Sequence, residues 1–338
     1  THLVQDLIQK EKPKGKDGYK EIENKVIAEI VQRLQDMAHQ KIQANYKVSS
    51  QQVTQAMVDE AQKVIDKLMQ REEVEDFNNT LLELFSVIPR KMGNVNDYLS
   101  RSKEDFARIL KDEQDLLDVM RGQVVTHTVQ DEPDTDDVEE KQETILEAMG
   151  LEFEETTEED VRMIKSLLGD CRDKFYRAWR VKNIKTQKRF DEFVNKEHIS
   201  KTKLLWHGSR NENWWSIINT GLVLRPTNAV ITGKMFGYGI YYAPKARKSL
   251  GYTSISGSYW ARGNSSSAFM ALMDVAYGKP YDVHSFDSKY YDFNYERLQK
   301  TCPGANCLHA HAGSMLRNDE IIVYKEDQCT IKYLVELR

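Results

Sequence analysis

From residue 25 to residue 120 apolar side chains recur three and four positions apart. Ile27, Ile30, Val31 and Leu34 form one stripe, and Val53, Met57, Ala61, Val64 and Leu68 form another. That spacing is the mark of an amphipathic helix with one buried face. Ser49 or Ser50 is the expected N-cap of the second helix. A third helix is expected from Leu81 to Ile88, stopped by Pro89 and Gly93. A fourth is expected from Ser102 to Met120, with Phe106, Ile109, Leu110, Leu116 and Leu117 inward. Residues 1–125 are therefore expected to fold as an all-α helical bundle. It carries no evident chemistry, so it is read as packing against or regulating something else. An independent protein-interaction bundle is the alternative.

The pattern then changes twice. Fifteen acidic residues stand in 131–160 against one lysine, Lys141. Such a run is mostly solvated, so residues 126–157 are expected to be an acidic linker. A helix is expected from Glu158 to about Lys182, with Val161, Ile164, Leu167, Leu168, Phe175 and Trp179 on its apolar face. Beyond it glycine and aromatic residues become frequent and strand-like runs appear. The expected strands are Leu204–His207, Ile240–Ala243, Phe269–Ala276, Ile321–Tyr324 and Thr330–Val335. A helix is expected from Asn213 to Asn219, closed by Gly221. Another is expected from Pro244 to Leu250, with proline at its first position. Most connections are too short for parallel crossovers. Residues 158–338 are therefore expected to be an α+β domain with a mostly antiparallel sheet, and the chain to be multi-domain.

Length and composition agree with this picture. The 338 residues suggest two cores, and 40% hydrophobic with 30% charged residues describes a soluble globular chain. No apolar run of about 18 residues could span a bilayer, so no membrane partner is expected. The net charge of −5, with no basic stripe, argues against a nucleic-acid grip by this chain. Four cysteines, Cys171, Cys302, Cys307 and Cys329, make no disulfide framework, so a reducing, intracellular compartment is expected.

Three segments carry candidate chemistry. Leu204-Leu205-Trp206-His207-Gly208-Ser209-Arg210 is an apolar strand ending in a histidine, a glycine and two polar residues. The glycine would let backbone approach a planar ligand. Thr232-Gly233-Lys234-Met235-Phe236-Gly237-Tyr238-Gly239-Ile240-Tyr241-Tyr242-Ala243 runs on to Lys248-Ser249-Leu250-Gly251-Tyr252. Asn318-Asp319-Glu320-Ile321-Ile322-Val323-Tyr324 sets a carboxylate at the start of an apolar strand. Strand alternation predicts that one of Tyr241 and Tyr242 faces the core and the other the cleft. Gly237-Tyr238-Gly239 is no dinucleotide fingerprint, since the third glycine is absent and a strand follows. There is no G-x-S-x-G elbow and no P-loop.

These runs, in this order, resemble the catalytic domain of the poly(ADP-ribose) polymerases. Val4-Gln5-Asp6-Leu7-Ile8 and Phe85-Ser86-Val87-Ile88-Pro89 resemble that family's regulatory helical domain. The resemblance implies an ADP-ribosyltransferase fold with a split sheet, behind a helical domain that restrains activity. Its catalytic signature of histidine, tyrosine and glutamate falls on His207, Tyr241 and Glu320. The resemblance also implies NAD+ as substrate. Gly208 backbone and the Ser249 hydroxyl would hold the nicotinamide amide, with Tyr252 stacked on the ring and Tyr241 as another wall. His207, Ser209 and Asn213 would bond the adenosine ribose, and Lys248 would sit by the glutamate. Glu320 would stabilise the positive charge that develops on ribose as its bond to nicotinamide breaks. No metal is required by that chemistry.

The resemblance further implies a protein poly(ADP-ribosyl)transferase that modifies protein acceptors, including itself. It would serve the DNA damage response and reach DNA only through domains outside this chain. It would be nuclear if eukaryotic and otherwise cytoplasmic. A mono-ADP-ribosyltransferase and a catalytically silent NAD-binding module are the alternatives. Two positions depart from the family. Val223 stands where close relatives carry an arginine that meets the NAD phosphates, and Arg225, two residues on, is the expected substitute. Lys234 stands where many carry a tyrosine. Cys302, Cys307, His309 and His311 have zinc-compatible side chains, and some family members bind zinc in this domain. Their spacing is not a standard zinc pattern and Pro303-Gly304 suggests a loop, so a reduced, metal-free loop is the expectation.

Overall fold

The computed structural model of the chain describes residues 18–130, 143–231, 235–255 and 265–338. The Val4–Ile8 motif, much of the acidic stretch, and Thr232, Gly233 and Lys234 lie outside the described residues.

Four long helices come first: α1 (Lys25–Asn45), α2 (Gln55–Met69), α3 (Val74–Val87) and α4 (Phe106–Gln130). Their buried residues are the apolar stripes of the sequence, from Ile27, Ile30, Val31 and Leu34 in α1 to Ala61, Val64 and Leu68 in α2. The α2 cap differs from expectation. Thr54 accepts from the Met57 N–H at 3.2 Å, while Ser49 caps a single 3₁₀ turn, Ser50–Gln52, in a reciprocal box with Gln52. Helix α4 also runs ten residues beyond the expected Met120, through a second buried run that includes Val124.

The segment expected as linker holds ordered structure. Short helix α5 (Ile145–Met149) ends at Gly150, whose φ of +67° is a left-handed cap. Strand β1 (Leu151–Glu155) follows, burying Leu151 and Phe153 while Glu152 and Glu154 stay exposed. The acidic residues are the solvent face of a strand, and that period-two pattern was masked by their number.

The expected helix to Lys182 is two elements. Helix α6 (Glu158–Leu168) is capped by Thr157 and Asp160, and Gly169 at φ +53° breaks it. A 3₁₀ stretch leads into β2 (Phe175–Asn183), so Phe175 and Trp179 belong to a strand. Helix α7 (Ile184–Lys196) was not expected. Then come β3 (Lys203–Gly208), α8 (Trp214–Thr220), α9 (Pro226–Ile231), β4 (Ile240–Tyr242) and α10 (Ala246–Leu250). Pro244 lies before α10, whose N-cap is Lys245. The remainder is β5 (Ala268–Val275), β6 (Pro280–Val283), α11 (Tyr295–Thr301), β7 (Cys307–Ala310), β8 (Glu320–Val323) and β9 (Cys329–Leu337). Residues 307–310, expected in a loop, are thus a strand, and all four are buried.

The fold is α+β with a split sheet. One sheet has the order β1-β2-β9-β5-β3 and the other β4-β8-β7-β6. Every pairing is antiparallel except β6 with β7. Leu34, Ile65 and Phe77 of the helices share one apolar cluster with Trp179, Trp214, Trp215 and Leu334 of the sheet region. Helix α4 crosses α8 closely at Gly122, where an added Cβ would stand 2.9 Å from Ser216. The Ser216 hydroxyl donates to the Asp118 carbonyl at 2.7 Å across this contact.

Candidate active site

The two sheets meet through one backbone exchange. Trp206 N–H donates to the Ala243 carbonyl at 3.0 Å, and Ala243 N–H returns to the Trp206 carbonyl at 3.3 Å. This pair fixes the end of β3 beside the end of β4 and sets His207 next to the Tyr241–Tyr242 strand. Strand β8 lies on the other side of β4, with Tyr241 opposite Ile322, so Glu320 at its first position enters the same cleft.

A cavity of about 200 Å³ opens at this junction. Its walls include His207, Gly208, Ser209, Asn213, Arg225, Tyr241, Lys248, Ser249, Tyr252 and Glu320. Every candidate site residue of the sequence is thus brought to one place. Val223 is in the wall as well. Lys234 lies outside the described residues.

Local geometry explains several residue types. A Cβ on Gly208 would stand 2.0 Å from the Ser249 carbonyl oxygen, so only glycine lets these segments touch. Gly237 turns at φ +77° and an added Cβ would meet the Phe293 backbone at 2.3 Å. That turn lets the Tyr241 hydroxyl donate to the Gly237 carbonyl at 2.9 Å and accept from Phe236 N–H at 3.2 Å. Tyr241 is half-buried and Tyr242 is buried, as alternation requires. The Asn213 side chain donates to the Ser209 hydroxyl at 2.9 Å, and both are buried.

Lys248 is ion-paired with Glu320. Both side chains are largely covered, which strengthens the pair over a surface one. Burial raises the Tyr252 phenol above its usual range, and the nearby Glu320 carboxylate adds to this. The His207 ring lies edge-on to Trp214 and Tyr242, with centroids 6.2 and 6.3 Å away. Burial in this setting pulls its pKa down to about 4, with Lys111 pushing the same way and Asp115 opposing. The imidazole is therefore neutral at physiological pH.

Sequence reasoning missed part of the wall. Lys111, Asp115 and Asp118 of α4 line the cavity. The Arg225 guanidinium is 2.5 and 2.6 Å from the two Asp118 carboxylate oxygens. The signal was present, since residues at i, i+4 and i+7 share one helix face. Nothing local distinguishes that stripe from an ordinary solvated one. Arg225 lies just before α9, and Asn228 ties the turn by donating to the Val223 carbonyl at 2.8 Å.

Among the described residues no helix is long and apolar enough to cross a membrane. Residues 158–338 match the family described as the poly(ADP-ribose) polymerase catalytic domain. The chain is 31% identical over 190 residues to a putative poly [ADP-ribose] polymerase-like protein, 100L, of Invertebrate iridescent virus 6, covering 55% of this chain and 97% of the viral one. It is 26% identical over 292 residues to poly [ADP-ribose] polymerase 2-A of Oryza sativa subsp. japonica, covering 75% and 42%. It is 23% identical over 321 residues to poly [ADP-ribose] polymerase 1 of Gallus gallus, covering 86% and 30%. The chain thus spans less than half the length of these plant and vertebrate relatives, and almost all of the viral one. A domain match over more than half the chain means that this chain belongs to the poly(ADP-ribose) polymerase catalytic-domain family, the ADP-ribosyltransferases that use NAD+ as substrate.

Proposed function

We propose that this chain is an NAD-dependent protein poly(ADP-ribosyl)transferase restrained by its helical region. The observation that carries the reading is the convergence of His207, Tyr241 and Glu320 on one cavity with Lys248, Ser249 and Tyr252. In the proposed reaction the nicotinamide–ribose bond breaks and its electron pair leaves with neutral nicotinamide. Positive charge spreads over the ribose C1′ and ring oxygen. The Glu320 carboxylate faces that charge and hydrogen-bonds the ribose hydroxyls, and its ion pair with Lys248 orients it. A nucleophilic acceptor group attacks C1′, and any proton it carries passes to solvent.

Gly208 backbone and the Ser249 hydroxyl would fix the carboxamide, with Tyr252 and Tyr241 against the ring. A fixed ring orients the bond that breaks, which removes an entropic part of the barrier. His207, Ser209 and Asn213 would hold the adenosine ribose. His207, neutral at pH 7, can donate from one nitrogen and accept at the other. Arg225 is the cation placed to meet the pyrophosphate in place of the arginine missing at Val223.

The helical region supports the restraint. Asp118 occupies Arg225, and the cavity of about 200 Å³ is smaller than the ~300–1,000 Å³ that ordinary ligand sites offer. A dinucleotide would need α4 to shift. Acceptors would be proteins including this one, and DNA would act through segments outside this chain, a nuclear role in a eukaryote.

The test is release of nicotinamide from labelled NAD+ by the full chain and by Glu320→Gln, with products sized on a gel. The expected result is long labelled products, with transfer in the variant lower by about 10²–10³-fold while NAD+ still binds, the loss typical of removing one transition-state contact. Single-unit products would select mono-ADP-ribosylation. NAD+ binding without nicotinamide release would leave a silent binding module.

A further inference from the structure

The four-stranded sheet carries a second cluster of chemistry on the part that does not face the NAD cleft. Strands β6 and β7 run parallel with Asp282 beside His309 in register. Side chains beside each other in register share a face, and residues two apart on one strand do too. That places Asp282, His309 and His311 together, and their donor atoms all lie within 4.8 Å of one another. The backbone continues the pairing past β7, with His311 N–H donating to the Val283 carbonyl at 2.8 Å. Asp319, just ahead of β8, reaches back into the group. His309 Nε2 is 2.8 Å from an Asp319 carboxylate oxygen, and His311 Nδ1 is 3.7 Å from the same atom. His311 Nε2 is 2.7 Å from an Asp282 oxygen.

We propose that Asp282, His309 and His311, with Asp319 as the fourth donor, bind a divalent transition-metal ion of the zinc class.

The donor set selects the ion. Two imidazoles with two carboxylates suit zinc and its neighbours, whereas magnesium and calcium sites are built from oxygen alone. A tetrahedral ion with bonds of ~2.0–2.2 Å needs donors about 3.3–3.6 Å apart, so rotation of side chains on a fixed sheet closes the site. The support around the donors is also that of a metal site. The Tyr277 hydroxyl lies 2.8 Å from His309 Nδ1. It can take the Nδ1 proton and leave Nε2 with its lone pair toward the ion, the outer hydrogen bond that ligating histidines usually make. The His309 and His311 rings are stacked 4.0 Å apart and nearly parallel, with His284 stacked on His311 at 4.5 Å, so ligation by both needs one ring to turn out of this stack.

The site departs from the one the sequence raised. Neither Cys302 nor Cys307 belongs to the group; the partners of the two histidines are aspartates from two other segments. It also sits at a consequential place. Asp319 immediately precedes Glu320, so an ion held there would fix the entry of β8 that carries the carboxylate of the cleft.

The experiment is a titration of the chelator-treated full chain with Co²⁺, followed by its visible absorption, then displacement by Zn²⁺ with metal content measured per chain. One equivalent of Co²⁺ with a four-coordinate visible spectrum and no thiolate charge-transfer band is expected. Zn²⁺ should displace it and raise the Tm. Asp282→Asn, at an exposed position, and His311→Ala should each weaken Co²⁺ binding by at least tenfold while circular dichroism stays native. The proposal falls if the wild-type chain gives no such spectrum. It also falls if both variants bind as the wild type does, or if the band is a thiolate band abolished by Cys302→Ser.

Discussion

Among the carboxylates that join the helical region to the sheet region, Glu336 and Asp118 are built differently. Glu336 in β9 is fully buried and receives both arms of Arg33 from α1, at 3.0 and 2.9 Å, with Arg177 at 3.2 Å and the Ser267 hydroxyl at 2.7 Å. Burial pushes its pKa up, but these donors outweigh it and hold the carboxyl below its usual range. Asp118 in α4 meets Arg225 and Arg121 at the cleft. There burial outweighs the two arginines and the carboxyl is raised above its usual range. Ionised Glu336 is better off folded than in water, and ionised Asp118 is worse off. The first contact is a clamp outside the cleft cavity. The second lies in the cavity wall, on Arg225, the cation proposed to meet NAD+. A restraint that must release is expected at the contact that costs most to keep.

The largest expected break of this contrast is at the cleft. Asp118→Ala should free Arg225 and loosen α4, raising kcat/KM for NAD+ by on the order of tenfold, the size of an ordinary coupling between sites. Arg225→Ala removes the same ion pair together with the cation, so its kcat/KM should fall instead. Steady-state nicotinamide release measures both. If Asp118→Ala leaves kcat/KM where it was, the contact does not restrain the enzyme.

Arg33→Ala should do the reverse at the clamp. Glu336 keeps Arg177 and Ser267, so the loss is one charged hydrogen-bond pair, about 1–3 kcal/mol of stability. Denaturant unfolding reads that loss, and KM for NAD+ should not move, since Arg33 does not line the cavity. A changed KM with unchanged stability would reverse the assignment of the two contacts.

How much of this was legible in the sequence follows from what kind of signal each part leaves. The bundle was legible because its helices are long and each buries one continuous face. The cleft was legible because several motifs resembling the family's stand in order along the chain, and the ten residues that the resemblance assigns line one cavity. Strand β1 was hidden because five residues, three of them glutamate, look like their acidic neighbours. Strand β2 was read as helix because Trp179 and Phe175 also fit a helical stripe, and only Gly169 marks the break. The contacts of Asp118 and Glu336 left no local signal at all. They pair with Arg225, 107 residues away, and Arg33, 303 residues away, and only the tertiary fold makes those distances short.

The remaining effect is the most local, and it reads the cleft contact from the other side. His207 is held near pKa 4 against an ordinary value of about 6.5, first by burial and then by Lys111 of α4. Above about pH 6.5 the imidazole is neutral whether the chain is folded or not, and it adds nothing to the pH dependence. As pH falls from 6.5 toward 4 the unfolded chain takes up a proton that the folded one refuses, so stability is lost, by up to about 3 kcal/mol, and the loss levels off below pH 4. His207→Gln should remove that portion of the acid decline in urea-unfolding midpoints. The folded imidazole can also be followed directly by NMR. If α4 alone keeps water and positive charge where they are, Asp118→Ala should move the His207 titration upward, toward 6.5, while Arg33→Ala leaves it in place. An upward shift in both variants would mean that the two contacts open as one unit, and the distinction between clamp and restraint would have to be given up.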